Sequence, residues 1–95
     1  MVKLIWTNQA IYDLNTIGDY IAESLANYAL ITVQKLFEKP TILKTFPIAG
    51  RIVPEKNQTD LRELIEGNYR IIYQLSSNDT IHILTIYHSS RDLKI

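Results

Sequence analysis

The spacing of apolar and polar positions divides the chain into a short strand, two helices and a run of strands. Val2, Leu4 and Trp6 alternate with Lys3 and Ile5, which is the period of a strand too short to stand without a sheet. Its neighbour in that sheet is not legible. After Thr7 and Asn8, both good N-caps, the period lengthens: Ile11, Leu14, Ile17, Ile21 and Leu25 share one stripe of a helix, and Asp13, Asp19 and Glu23 fall off it. The helix is expected from about Gln9 to Ser24, with Gly18 inside it at a cost of about 1 kcal/mol relative to alanine unless it allows close packing. Asn27 can cap a second helix whose stripe runs Ala29, Val33, Leu36 and Phe37 and resumes at Leu43. Pro40 lacks a backbone donor, so a kink is expected near Lys39. A short link around Ala26 makes the two an αα-hairpin that needs a sheet to cover its apolar face.

The second half of the chain reads as strands. Phe46-Pro47 and Gly50 end the helical part, Arg51 to Val53 is a brief β-prone piece, and Pro54 to Asp60 is a polar exposed loop. Leu61 to Arg91 then forms one β-meander, with turns at Glu66-Gly67-Asn68 and Ser76-Ser77-Asn78-Asp79 on either side of the run Tyr69 to Leu75. Thr80 to Tyr87 carries apolar residues on both parities, as a central strand does. The fold class is α+β: an N-terminal strand, a helical hairpin, then an antiparallel meander. The helices pack on one face of the sheet through Ile11, Leu14, Ile17, Val33, Leu36 and Phe37.

Composition narrows the function classes. At 95 residues the chain is expected to be one small domain spanning 1–95, and its 10 basic and 10 acidic residues balance, so no global field draws it to nucleic acid. It has no cysteine, which removes disulfides, thiolate metal sites and thiol catalysis. No run approaches the length of a membrane span and the N-terminus has no signal-like apolar core, so a cytoplasmic protein without a membrane partner is expected. No phosphate-binding glycine loop, zinc spacing or Ser-His-Asp pattern is present, and neither metal nor cofactor is expected.

The candidate chemistry is a set of polar residues on or beside strands. Arg70 lies between Tyr69 and Ile71-Ile72-Tyr73, where a charge is costly unless it meets an anion. Arg51, Arg62 and Arg91 could converge with it on phosphate or carboxylate. The bland alternative pairs Arg62 with Glu63 or Glu66, and Arg91 with Asp92, at the surface. His82, inside a strand, reads as a histidine hydrogen-bonded to a neighbour. His88 follows the last apolar run, at a strand end where sites are common. Tyr69, Tyr73 and Tyr87 fit either base stacking or a core with wet hydroxyls.

Five pieces resemble the ParE/RelE superfamily of toxins from bacterial type II toxin-antitoxin modules: AIYDLNTIGDYI from Ala10 to Ile21, FPIAGRIVPE from Phe46 to Glu55, LREL from Leu61, YRIIY from Tyr69 and IYHSSRDL from Ile86. The resemblance spans nearly the whole chain and implies the same helical hairpin on an antiparallel sheet. It also implies growth arrest relieved by a cognate antitoxin, with one of two targets: DNA gyrase, as for ParE, or ribosome-bound mRNA, as for RelE. In the RelE case the chain would be a metal-independent endoribonuclease, with Arg70 stabilising phosphate, His88 or Tyr87 as acid/base group and Glu55 as a base. Arg51, Arg62 and Arg91 would contact target or phosphate. The chain lacks the lysine-rich central strand of ribosome-binding members and an aromatic residue after Arg91, and its ending resembles the ParE branch. A toxin fold that serves only as a binding module is the third alternative.

Overall fold

The computed structural model describes residues 2–91. The elements follow in the order β1 (Lys3–Trp6), α1 (Asn8–Ala22), α2 (Ala26–Glu38), a 3-10 turn (Lys39–Lys44), β2 (Arg51–Ile52), β3 (Leu61–Glu66), β4 (Tyr69–Ser76) and β5 (Thr80–His88). One mixed sheet has the order β1-β5-β4-β3-β2. Every neighbouring pair is antiparallel except β1 and β5, which run parallel with Lys3 opposite Thr80 and Trp6 opposite Ile83. The partner of the first strand, illegible in sequence, is thus the last strand. β5 is an inner strand as its two-sided apolar pattern implies, while the middle position belongs to β4.

Local chemistry explains the boundaries. Thr7 caps α1 by accepting from the Ala10 amide at 3.2 Å, satisfying one of the donors a helix start leaves open. α2 starts at Ala26 after Leu25 and has no side-chain cap, so Asn27 lies inside the helix and does not cap it. Pro40 does not kink α2; the α-helix stops at Glu38 and the chain tightens into the 3-10 turn, since a proline cannot supply the next i to i−4 bond. The β3–β4 turn places Gly67 at φ +59, and the β4–β5 turn places Asn78 at +61 and Asp79 at +53, left-handed positions that these residue types tolerate.

The helix-covered face holds the main core, in which Ala10 and Leu14 of α1 and Leu36 of α2 meet Leu43, Leu64, Ile71, Tyr73, Ile81, Ile83 and Ile86. The stripe is expected to bury Ile11, Leu25 and Phe37 as well, but these are 44%, 60% and 55% exposed, and the buried positions are Ala10 and Leu14 of α1 and Ala29 and Leu36 of α2. Small side chains let the helix backbones come near. A Cβ on Gly18 would lie 2.8 Å from Val33, so the glycine marks where α1 and α2 touch. Phe37 leaves the core to stack on Trp6, ring centres 5.2 Å apart. The opposite face carries a smaller cluster of Val53, Leu61 and Ile72 with Leu84 and Tyr87 packed on it.

Two devices position the remaining segments. The Tyr73 hydroxyl donates to the Pro47 carbonyl at 3.0 Å and accepts from the Gly50 amide at 2.9 Å, pinning the chain that leads into β2. A Cβ on Gly50 would sit 2.7 Å from the Tyr73 ring and overlap the Glu63 carbonyl, so only glycine fits there. In β5 the register slips by one residue opposite Ile72 and Tyr73, leaving Leu84 unpaired as a β-bulge. Side chains from the start of α1 close the edge at this bulge. The Thr7 hydroxyl donates towards the carbonyls of Ile83 and Leu84. Asp13 accepts from the Ile86 amide at 3.1 Å, from the Thr85 hydroxyl and from Gln9 at 2.8 Å.

Candidate functional site

The strand alternation that sends Ile71 and Tyr73 to the helices sends Arg70 and Ile72 to the other face, because successive side chains point oppositely. On that open face Arg70 is only 7% exposed and Glu63 only 1%. Arg70 donates through Nε to Glu63 Oε1 at 2.7 Å, and through its two Nη atoms to the carboxylate oxygens of Glu55 at 2.7 and 2.8 Å. Arg51, directly across from Glu63 on β2, donates to the second Glu63 oxygen. Two arginines and two glutamates thus alternate and neutralise one another, which is how a sheet tolerates buried charge.

The electrostatics follow this geometry. Hydrogen bonding from Arg70, with lesser help from a backbone bond, lowers the Glu55 carboxyl to about 2. Conversely the Glu55 hydrogen bond, reinforced by Glu63, raises Arg70 and makes its cation still more persistent. Both charges are fixed across the range in which a cell operates. Burial raises the phenols of Tyr69 and Tyr73, so neither is a ready base.

The residues singled out in sequence fall into separate places. Glu55, Arg70 and Arg51 meet on the open face, and Tyr87, directly across from Arg70, lies beside them. Arg62 turns away; its Nε binds the Thr59 carbonyl and its Nη1 the Gly50 carbonyl, each at 3.0 Å. His88 faces the helices, where it meets Tyr69 edge-on with ring centres 5.4 Å apart and binds Ser90 through Nδ1 at 2.7 Å. Arg91 lines the same region as His88; its expected partner Asp92 lies outside the described residues. The four arginines and His88 therefore do not converge on one concave site. His82 is bonded to Ser76 at 2.8 Å, the plain role expected of it. Among the described residues no cluster of three histidines, aspartates or glutamates could hold a metal, and no helix is long and apolar enough to cross a membrane.

A groove of about 510 Å³ runs between α1 and the second half of β5, lined by Gln9, Asp13, Ile17, Tyr20, Tyr69 and the strand from Leu84 to His88. β5 extends beyond the end of β1 here. The groove is part apolar, with an aromatic end at Tyr20 and Tyr69 and the cation of Arg91 beside it.

Two residues escaped the sequence reading. Glu63 was considered only as a surface partner of Arg62, yet it shares strand parity with Leu61, a signal that it points inward. Asp13 was placed off the helix stripe; it lies at its margin, four residues before Ile17, and reaches the strand edge.

Comparison with known proteins agrees with this architecture. A structure from the chromosomal ParDE toxin-antitoxin system of P. aeruginosa superposes with a TM-score of 0.77 at 26% identity, covering 93% of this chain and 96% of that one. A chain of the RelBE2 toxin-antitoxin complex from Mycobacterium tuberculosis shares the fold at a TM-score of 0.58 and 17% identity, covering 92% and 96%. Toxin RelE2 of Caulobacter vibrioides is 29% identical over 96% of this chain and 99% of its own length. The model of the family described as the ParE toxin of the type II toxin-antitoxin system, parDE, matches residues 4–93. With nearly its whole length accounted for, the chain belongs to the ParE toxin family of type II toxin-antitoxin systems.

Proposed function

We propose that this chain, one toxin domain acting in the cytoplasm, arrests growth by binding DNA gyrase and carries out no chemistry on RNA. The observation that carries this reading is the state of Arg70: its guanidinium donors are taken by Glu55 and Glu63. Even with the Glu55 fork open, a phosphate at Arg70 would face the buried carboxylate of Glu63, which opposes the negative charge that develops on phosphorus. His88, the candidate acid/base group, is directed to the opposite side of the sheet with Tyr69, too far from the Arg70 fork to share a reacting atom with it. The balanced charge of the chain also offers little phosphate neutralisation.

A cognate antitoxin is part of the proposal. The P. aeruginosa and M. tuberculosis relatives come from toxin-antitoxin systems, and the groove between α1 and β5 suits an added segment with an apolar face. The test is induced expression with supercoiling and mRNA integrity followed in parallel. Loss of gyrase supercoiling with intact mRNA, retained in a folded His88→Ala variant, is the expected outcome. Cleaved mRNA and arrested translation that His88→Ala abolishes would replace this reading with the nuclease one. Absence of growth arrest would favour a binding module without a target of its own.

A further inference from the structure

The loop 54–60 lies over the open face, and Glu55 is the side chain of its tip that is bonded to the sheet. The amides of Lys56 and Asn57 only close back on the Val53 carbonyl, at 3.1 and 2.9 Å, and Asn57 holds a left-handed φ of +51. Firmer ties come later, where Arg62 binds Thr59 and the Leu75 amide binds Asp60 at 2.8 Å. The tip is thus tied to the sheet by few bonds, the local build from which low-energy opening is drawn.

The ion cluster beneath has an unequal build. The Arg70 and Glu63 side chains are 8% and 0% exposed, whereas Glu55 is 41% exposed. Arg70 presents to Glu55 the two-pronged edge that a guanidinium uses for a carboxylate. With Glu55 in place the charges of Arg51, Arg70, Glu55 and Glu63 sum to zero; without it they sum to plus one. A single negative charge restores neutrality, and a doubly charged phosphate would meet the buried Glu63 carboxylate behind the fork.

We propose that the Arg70 fork, flanked by Arg51, is a docking point for one acidic side chain of a protein partner, and that Glu55 holds it shut in the free chain as an internal stand-in. Binding exchanges one bidentate carboxylate for another and releases the 54–60 tip. The exchange conserves the ion pairs of Arg70, so the partner's remaining contacts have to offset only the cost of association, which the intramolecular Glu55 does not bear. The proposal stands independently of the target on which the chain acts.

Limited trypsin digestion of the wild-type chain reads the released state, because Lys56 sits on the exposed tip. Tetraglutamate peptide, titrated to saturation because it brings no contact beyond its carboxylates, is expected to speed cleavage after Lys56 severalfold, whereas tetraglutamine and inorganic phosphate at equal ionic strength leave it unchanged. In Glu55→Ala the bond should be cleaved fast without any peptide. Propionate should slow that cleavage saturably, by filling the vacated carboxylate position, and should raise the thermal midpoint of the variant more than that of wild type. The proposal is overturned if tetraglutamate has no effect on the wild-type chain. It is equally overturned if phosphate acts as strongly, or if propionate fails to rescue a folded Glu55→Ala variant. Should Glu55→Ala not fold, the wild-type comparison of tetraglutamate with tetraglutamine decides alone.

Discussion

The two faces of the sheet are held by different physics. Under the helices, Leu36, Ile71, Tyr73 and Ile83 are fully buried in an apolar layer, stabilised by removal of hydrocarbon from water at about 25 cal/mol per Å². On the other face a small apolar cluster is bordered by buried Arg70 and Glu63, whose pairing roughly offsets their desolvation. The first face tolerates any well-packed hydrocarbon. The second demands particular partners, and this is why a functional reading of a buried arginine needs the identity of its neighbours before its own.

Breaking one partner on the ionic face should have the largest effect. Glu63→Ala leaves Arg70 and Arg51 facing each other with one carboxylate, and a loss of about 3–5 kcal/mol in urea unfolding is expected. If the contrast between the faces is right, the double change Glu63→Leu with Arg70→Met recovers most of that loss. On the apolar face Leu36→Ala should cost about 2–5 kcal/mol with no such rescue from a charge change elsewhere. Tyr73→Phe removes only a hydroxyl, but strands the Gly50 amide and Pro47 carbonyl, and about 1–3 kcal/mol is expected from thermal or urea denaturation. Thr7→Ala, which unties the cap of α1 and the β5 carbonyls together, should cost about 1 kcal/mol.

The smallest effect is a pH dependence confined to the ionic face. Glu55 is lowered from 4.5 to about 2 on folding, so the folded state binds its proton less readily than the unfolded one. Its contribution is therefore fully present above about pH 4.5 and is lost as pH falls through about 2. The stability difference between wild type and Glu55→Gln should be constant from neutral pH down to that window and shrink within it. A difference that instead changed between pH 6 and 8 would show that another group governs the cluster.

Much of this architecture is legible in the residues because periodicity reports directly on burial. The meander from Leu61, its two turns, the helical hairpin and the exposed loop 54–60 all follow from spacing and turn chemistry. The stripe of each helix is right in kind but wrong in phase at Ile11 and Phe37: in α1 the fully buried place goes to Ala10, beside the stripe, and in α2 Ala29 and Leu36 of the stripe are buried while Phe37 is not. β1 could not be placed because four residues carry no register information about a strand 77 positions away. At the candidate site Arg70 stood out as a charge in a strand, but whether it met a substrate or a carboxylate depended on cross-strand pairing. Glu63 lies seven residues from Arg70 in sequence, and only the register of β3 on β4 brings them together.

The pairing of Lys3 with Thr80 and of Trp6 with Ile83 has a consequence for how the protein comes into being. β1 can find its neighbour only when β5 is in place, so until then the sheet lacks both of these strands. Closing so distant a contact is entropically slow. Until β1 docks, β5 exposes the edge that Thr7 and Asp13 seal in the folded chain. Docking of β1 on β5 is thus the step that joins the two ends of the sheet's chain path, and it is the contact whose loss would open the domain from its edge.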